Sequence, residues 1–420
     1  MNNQLIRRRQ EIFKNLVDNS IAILHSGYAP FRTADECYEY VVNNNFYYLS
    51  NIDQEDSILV IGKSNNEYFE KLFITQPTEF HEKWLGHQLT LQEASELSSI
   101  EVKDIGYTTN FESYVESLLQ NARYTLLKIQ NVYLDLERFD VPLYNTFALN
   151  YAKKLKNKYP AVRIYDVYDA VIELRMVKCE EEVELMKQSI ETTNHAIQEV
   201  MRHHNELKNE SYAEAYYNFI NTKEQKPLSF TSIIAGGKNA TTLHYHANNS
   251  ELKGNELLLM DVGCYTKHYA SDISRTFPVN GKFSPKQKEV YEVVLDCNKR
   301  CIDYARPGIS WKQLNDYAND ILAEGLIKLG LIKEKNDFRK YYFHSIGHSV
   351  GLDVHDPGIR NKGLLEGMVI TIEPGLYIPE WEIGVRIEDN ILLTKEKTIV
   401  LSKNIIKEVA DIEDFLSKNK

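Results

Sequence analysis

Four carboxylates and one imidazole in the C-terminal half of this chain have the makings of a site for two divalent cations. Asp261 lies near the end of ELLLMDVG, and Asp272 opens DISRTFPV eleven positions later. HSIGHSVGLDVHDPG follows, with His344, His348 and His355. Two β-rich apolar runs, VITIEPGLYI and GVRIEDNILL, then carry Glu373 and Glu388. Residues two apart in a strand share a face. That puts Arg386, Glu388 and Asn390 on one face, and Thr371 with Glu373 on another. A carboxylate turned inward from such a strand is costly unless it is paired or bound to a cation. One arginine cannot neutralise four carboxylates, whereas two divalent cations can. A carboxylate-dominated set with a single imidazole suits Mn²⁺, or Fe²⁺ and Co²⁺, better than the zinc of thiolate-rich sites. Paired ions about 3.5–4 Å apart activate water at neutral pH, so the expected reaction class is metal-assisted hydrolysis. Taken singly, Asp261 reads as a strand-end cap, Glu373 before Pro374 as a turn residue, and His344 or His348 as a satisfied histidine. The joint pattern carries the inference.

The elements that must bring these residues together can be read along the chain. With 420 residues the chain has room for two or three domains. Hydrophobic residues at 43% and charged ones at 26% fit a soluble globular protein. A net charge of -11 with no basic face argues against nucleic acid as a partner. No apolar run approaches the ~20 residues of a membrane span. Arg7, Arg8 and Arg9 lead into an amphipathic segment rather than a signal-peptide core. Cys37, Cys179, Cys264, Cys297 and Cys301 are odd in number and scattered, as free thiols of a reducing cytoplasm would be. Cys297 and Cys301, four apart on a helix, read as packed apolar residues.

An amphipathic helix is expected over 5–19, then the strands IAILH (21–25), SILVIG (57–62), YFEKLFIT (68–75), VYLDLE (132–137) and VRIYD (162–166). Their alternation with helices implies an α/β domain with an at least partly parallel sheet over residues 1–170. From residue 171 to 420 an α+β domain is expected. One long helix is expected over ELRMVKCEEEVELMKQSIETTNHAIQEVMRHH, and another after Asn209. Two more start at the capping signals Ser284-Pro285-Lys286-Gln287 and Ser310-Trp311-Lys312-Gln313.

The ordered pattern of Asp261, Asp272, HxxxH followed by GLDVHD, EPG and GVRIED closely resembles the pita-bread (creatinase/methionine aminopeptidase-like) metallopeptidases. Their metal-free relative creatinase lacks the ligands that this chain has. The N-terminal half, with EYVVNNNFYYLSNI and EKWLG, resembles the aminopeptidase P and larger prolidase branch. By motif, the resemblance implies that Asp261 chelates one metal, Asp272 and Glu388 bridge two, and His348 and Glu373 hold the other. Glu373 would also act as general base. His244, in TTLHYHANN, would contact the scissile region or the leaving proline nitrogen, and His355 would steady the carbonyl oxygen. Arg386 and Tyr377 would lie beside the bridging carboxylate, Tyr377 towards the substrate. His344 and His246 have weaker claims, and His268 reads as structural or exposed. The implied activity is hydrolysis of the N-terminal Xaa-Pro bond, with two divalent ions per chain: manganese first, then cobalt, iron or zinc. Whether Glu373, His244 or the water-derived proton serves the leaving nitrogen is left open. Other readings are a prolidase restricted to Xaa-Pro dipeptides and a non-catalytic binding protein. Relatives are commonly homodimers or homotetramers, with Trp84 a candidate for a contact with a neighbour and equally for its own domain's core. Around the segment ending at Phe46 the family often has an Arg and an Asp; this chain has Val42-Asn43-Asn44-Asn45, so a role resting on those charges does not carry over.

Overall fold

The computed structural model describes residues 2–120, 129–137 and 146–419. Its contacts divide into two units, Met1–Arg175 and Met176–Lys420. In the first unit, helix α1 (Asn2–Asn15) stops four residues short of the expected end. Strands β1 (Ser20–His25), β2 (Ile58–Ser64), β3 (Glu67–Ile74), β4 (Ile105–Tyr107), β5 (Asn131–Leu134) and β6 (Arg163–Asp166) form one sheet in the order β4-β3-β2-β1-β5-β6. The β1–β5, β5–β6 and β3–β4 pairs are parallel; β1–β2 and β2–β3 are antiparallel. Ile21, Ile23, Val60, Phe73 and Val132 of the sheet pack on Phe111, Val115 and Leu118 of α2 (Phe111–Leu119), and on Tyr151 and Leu155 of α3 (Phe147–Lys158). The amides at the departure from the family pattern are used inside this unit. Asn45 donates to Asp135 Oδ2 at 3.0 Å and accepts from Arg175 Nη1 at 2.7 Å. Trp84, on the short helix Glu79–Leu85, is 73% exposed within its unit, so it belongs to no core there.

The long helix expected from residue 173 is two helices, α4 (Tyr168–Arg175) and α5 (Glu180–Arg202). The Lys178 amide donates to the Gly367 carbonyl, and the Cys179 amide to Glu182 Oε2 in a capping box, so a new helix starts at Glu180. Helices α6 (Glu210–Lys223), α7 (Pro285–Tyr304) and α8 (Trp311–Lys328) start after the expected caps Asn209, Ser284 and Ser310. Strand β8 (Leu257–Val262) lies between β7 (Ile233–Gly236) and β9 (Ile273–Pro278). Further on, β10 (Val369–Ile372) pairs with β13 (Asp389–Leu393), which also pairs with β14 (Thr398–Val400); β11 (Gly375–Ile378) pairs with β12 (Ile383–Arg386). Met260, Ile273 and Phe277 share one core with Val290, Val294, Cys297 and Cys301 of α7 and with Ile370, Ile372, Leu376 and Val385. Cys297 and Cys301 are buried there, with their sulfurs 3.9 Å apart.

GVRIEDNILL is not one strand. It breaks after Arg386, and Asp389 begins a strand of a different sheet. Two-residue alternation does not sort its faces, because Val385, Arg386, Ile387, Glu388, Asp389 and Asn390 are all buried. Glu388 sits at the junction of the two strands.

Candidate metal centre

Each acidic side chain of the cluster leaves a strand end. Asp261 is the penultimate residue of β8, directly across from Ser274 of β9. Asp272 precedes β9. Its amide donates to Asn390 Oδ1 at 3.2 Å and its carbonyl accepts from Asn390 Nδ2 at 2.7 Å. Glu373 and Glu388 follow Ile372 and Ile387, and one buried amide on α7 fixes both exits: Asn298 Nδ2 donates to Ile372 O at 3.1 Å and to Ile387 O at 3.2 Å. Behind Glu388, its carbonyl accepts from Arg275 Nη1 at 2.6 Å. Arg275 and Lys407 also bind Asp389, which against its burial is held well below the usual carboxylate range by their charges.

His348 comes from an irregular segment strapped to β10. Its amide donates to Thr371 Oγ1, and its carbonyl accepts from the Thr371 amide. Only glycine fits at 347, since a Cβ there would stand 2.1 Å from the Thr371 carbonyl oxygen. His348 Nδ1 donates to the Ser349 carbonyl at 2.9 Å, which turns Nε2 towards Asp272 Oδ2 at 3.3 Å and Glu373 Oε1 at 3.6 Å. Such a bond on one ring nitrogen is how proteins aim the other at a metal.

Three overlapping groups have ligand atoms within 4.8 Å of one another: Asp261, Asp272 and Glu388; His348, Glu373 and Glu388; and Asp272, His348 and His355. The five expected ligands therefore converge, with Asp272, His348 and Glu388 each shared between two groups. The charge is unbalanced. Burial, then the neighbouring Asp272, Glu373 and Asp261, holds Glu388 well above its ordinary value. Burial lifts Asp272 to about 6 and Glu373 to about 7. Burial lowers His348, but the hydrogen bond to Asp272 and the charges of Glu373 and Asp272 prevail and raise it to about 9. Arg386 binds Asp261 Oδ2 at 2.6 Å, while Asp261 Oδ1 is buried with no hydrogen-bond partner. Orphaned buried acceptors are rare. An unpartnered carboxylate oxygen among three further carboxylates fits a cation ligand.

The residues around the ligands form one hydrogen-bonded chain. Arg386 Nε donates to Ser274 Oγ, whose hydroxyl donates to Glu388 Oε2 at 2.8 Å. Arg386 Nη1 donates to the Tyr377 hydroxyl at 3.0 Å. That hydroxyl meets His344 Nε2 at 2.9 Å, while His344 Nδ1 donates to Ser345 O. Burial lowers His344 to about 4, so its ring is neutral and its Nε2 accepts the tyrosine proton.

Two regions of sequence match described families: residues 184–395 match Metallopeptidase family M24, and residues 5–127 match Aminopeptidase P, N-terminal domain. The chain is 33% identical to Xaa-Pro aminopeptidase of Haemophilus influenzae, over 98% of this chain and 96% of that protein. The chain belongs to metallopeptidase family M24. Among solved structures it is similar to a provisionally assigned aminopeptidase P from Bacillus anthracis, with a TM-score of 0.96 and 39% identity over 100% of this chain and 99% of that one. It is also similar to zinc-substituted Escherichia coli aminopeptidase P in complex with product, with a TM-score of 0.90 and 27% identity over 100% and 99% of the two chains.

Of the M24 residues singled out from sequence, His355 lies beside the ligands. It is exposed, and its ring centroid is 4.1 Å from that of His348. His244 and His246 are exposed on the segment after β7, with ring centroids 6.2 Å apart, and join none of the three ligand groups. His268 occupies a turn at φ +67° and lies outside the ligand groups. His344 stands inside the network, 3.8 Å from Glu373 Oε2. Ser274 and Asn298 are not singled out from sequence, and Asn390 only as a residue sharing the face of Glu388. A Ser or Asn in an apolar run carries no signal in one sequence, and their partners are 74 to 118 residues away. Among the described residues, no helix is long and apolar enough to cross a membrane.

Proposed function

We propose that this M24 chain is a metallo-exopeptidase that hydrolyses the N-terminal Xaa-Pro bond of peptides. The carrying observation is the convergence of Asp261, Asp272, His348, Glu373 and Glu388 around an unpartnered carboxylate oxygen, in a chain aligned nearly end to end with Xaa-Pro aminopeptidases. Asp261 would hold one divalent ion, His348 and Glu373 the other, with Asp272 and Glu388 between them. Manganese is the first expectation, and cobalt, iron and zinc are the others. When bound, such ions supply an activated water and polarise the substrate carbonyl. Glu373 takes the proton of the attacking water on its carboxylate. His355, exposed beside the ligands, donates to the carbonyl oxygen as negative charge develops there. A proline amide has no N–H, so its nitrogen must be recognised by shape and protonated on leaving. Glu373, His244 or the water-derived proton serves that nitrogen, and His244 contacts the leaving side. Arg386 keeps Asp261 and, through Ser274, Glu388 aimed; Tyr377, expected towards the substrate, is instead buried and acts by holding Arg386.

Residues 1–170 serve as an aminopeptidase P-like domain for the 171–420 catalytic domain. The working form is a homodimer or homotetramer in the cytoplasm. The five free cysteines support that location, and exposed Trp84 supports a contact with a neighbouring subunit. The test is a substrate-length series. Xaa-Pro-Yaa peptides should release Xaa with Mn²⁺. No release with Mn²⁺, Co²⁺, Fe²⁺ or Zn²⁺ refutes the reading, and cleavage of Xaa-Pro dipeptides alone makes the chain a prolidase.

A further inference from the structure

The segment that carries His244 has little regular structure beyond a short 3₁₀ turn at Gly237–Thr241. It is nevertheless fixed at both ends and in the middle by one carboxylate. Glu210, in the first turn of α6, is fully buried and accepts four hydrogen bonds. Oε1 takes the Gly236 amide at 2.8 Å, where the segment leaves β7, and Asn239 Nδ2 at 2.9 Å. Oε2 takes the Ser250 amide at 2.9 Å, where the segment returns, and the Tyr245 hydroxyl at 2.7 Å. The Glu210 amide in turn donates to Ser250 O at 2.9 Å. Tyr245 is the residue between His244 and His246. Its ring packs with Leu243 on Ile233, Ala235, Ala240, Leu259 and Tyr377, and Tyr377 is the tyrosine bonded to Arg386.

A buried carboxylate is tolerable only when its oxygens are saturated. Here four donors from one segment and the α6 N-terminus do this. The same bonds that solvate Glu210 thus set the path of residues 236–250. None of them reaches a metal ligand.

We propose that Glu210 is a positioning residue for the reaction, placing the His244 imidazole at the substrate through Tyr245 and the two ends of its segment. The proposal rests on the reading of His244 as a substrate contact. Glu210→Gln keeps the shape but turns an NH₂ towards N–H and O–H donors, so at least one backbone amide loses its acceptor. A misplacement of about 1 Å costs on the order of 100-fold in rate.

The experiment measures kcat and KM on Xaa-Pro-Yaa peptides, and Mn²⁺ affinity by calorimetry, for Glu210→Gln, His244→Ala and the double variant. Glu210→Gln should lower kcat/KM by about 10- to 100-fold, with Mn²⁺ affinity within about twofold of wild type. The double variant should be no slower than His244→Ala. Full activity in Glu210→Gln, losses that multiply in the double variant, or a matching fall in Mn²⁺ affinity overturns the proposal. If His244→Ala alone keeps wild-type rates, the reading of His244 fails, whatever Glu210→Gln shows. Should Glu210→Gln not fold, Tyr245→Phe, which removes a single hydroxyl, is judged by the same outcomes.

Discussion

Lys178→Met should destabilise the chain by an amount that grows with pH. Lys178 Nζ lies 2.9 Å from Asp356 Oδ2, and the two side chains are 2% and 1% exposed. Removing the lysine takes a cation away from a buried carboxylate, a change that typically costs about 3–5 kcal/mol. The structure sets a ceiling, because the Asp356 carboxyl can take up a proton instead. An Asp that ionises near pH 3.9 when unfolded costs about 1.4 kcal/mol per pH unit to keep neutral. The penalty is therefore capped at about 4 kcal/mol at pH 7 and about 1.5 kcal/mol at pH 5. The sign follows from linkage. In the variant Asp356 is raised above its unfolded value, so folding takes up a proton and stability falls as pH rises.

The assay is urea unfolding of chelated wild type and variant at pH 5 and pH 7, read as the difference at each pH so that the metal site's own titration cancels. Lys178→Met/Asp356→Asn should recover most of the pH 7 loss, because no charge is then buried. Function should suffer as well, since the Asp356 amide donates to Ser349 O and its Oδ1 takes the Asp353 amide, closing the segment that holds His355. A deficit below about 1 kcal/mol at pH 7, the value of a surface pair, or an equal deficit at both pH values refutes the argument.

Asp272→Ala or Glu388→Ala should abolish peptidase activity and lower metal content in elemental analysis, because each sits in two of the three ligand groups; full activity in either breaks the ligand assignment. Chelated protein should become less stable to heat as pH rises from about 5 to about 8. Asp272 and Glu373 are raised to about 6 and about 7, His348 to about 9 and Glu388 well above its ordinary value; together these outweigh His344 and His355, which are lowered to about 4, so the folded state holds more protons than the unfolded chain and loses that advantage on alkalinisation. Saturating Mn²⁺ should reverse the trend, since metal and protons compete for the same atoms. A chelated melting temperature that climbs over this range contradicts the burial of the cluster.

Residues whose role follows from their own chemistry could be read from the sequence. Carboxylates in apolar runs point to a cation through their own charge, HxxxH before GLDVHD carries the family resemblance, and the caps at Asn209, Ser284 and Ser310 mark helix starts through local bonds. What depends on distant partners was not legible. The break after Arg386 follows from Ile387 and Glu388 bonding to Pro374 and Ser274 rather than to one neighbouring strand. The helix break at Met176–Cys179 follows from the Lys178 amide finding Gly367. His344 looked ordinary because its partner, Tyr377, is 33 residues away.

The ligands and the two histidines assigned to substrate are held by different physics, and this bears on which parts of the site tolerate change. Asp261, Asp272, Glu373 and Glu388 leave strand ends, so sheet register and Asn298 set their spacing. His244 and His355 sit on irregular segments, where backbone entropy disfavours any single path. Each segment is instead tied to a buried carboxylate: Glu210 takes the Gly236 and Ser250 amides, the Asn239 side chain and the Tyr245 hydroxyl, and Asp356 takes the Asp353 amide and Lys178. A buried charge adds little net stability, but it penalises every arrangement that leaves it unsatisfied. That penalty selects one loop conformation where packing alone would permit several. Substitutions at the two anchors should therefore change catalytic rate while leaving the metal bound, whereas substitutions at Asn298 or Arg275 should change metal affinity first.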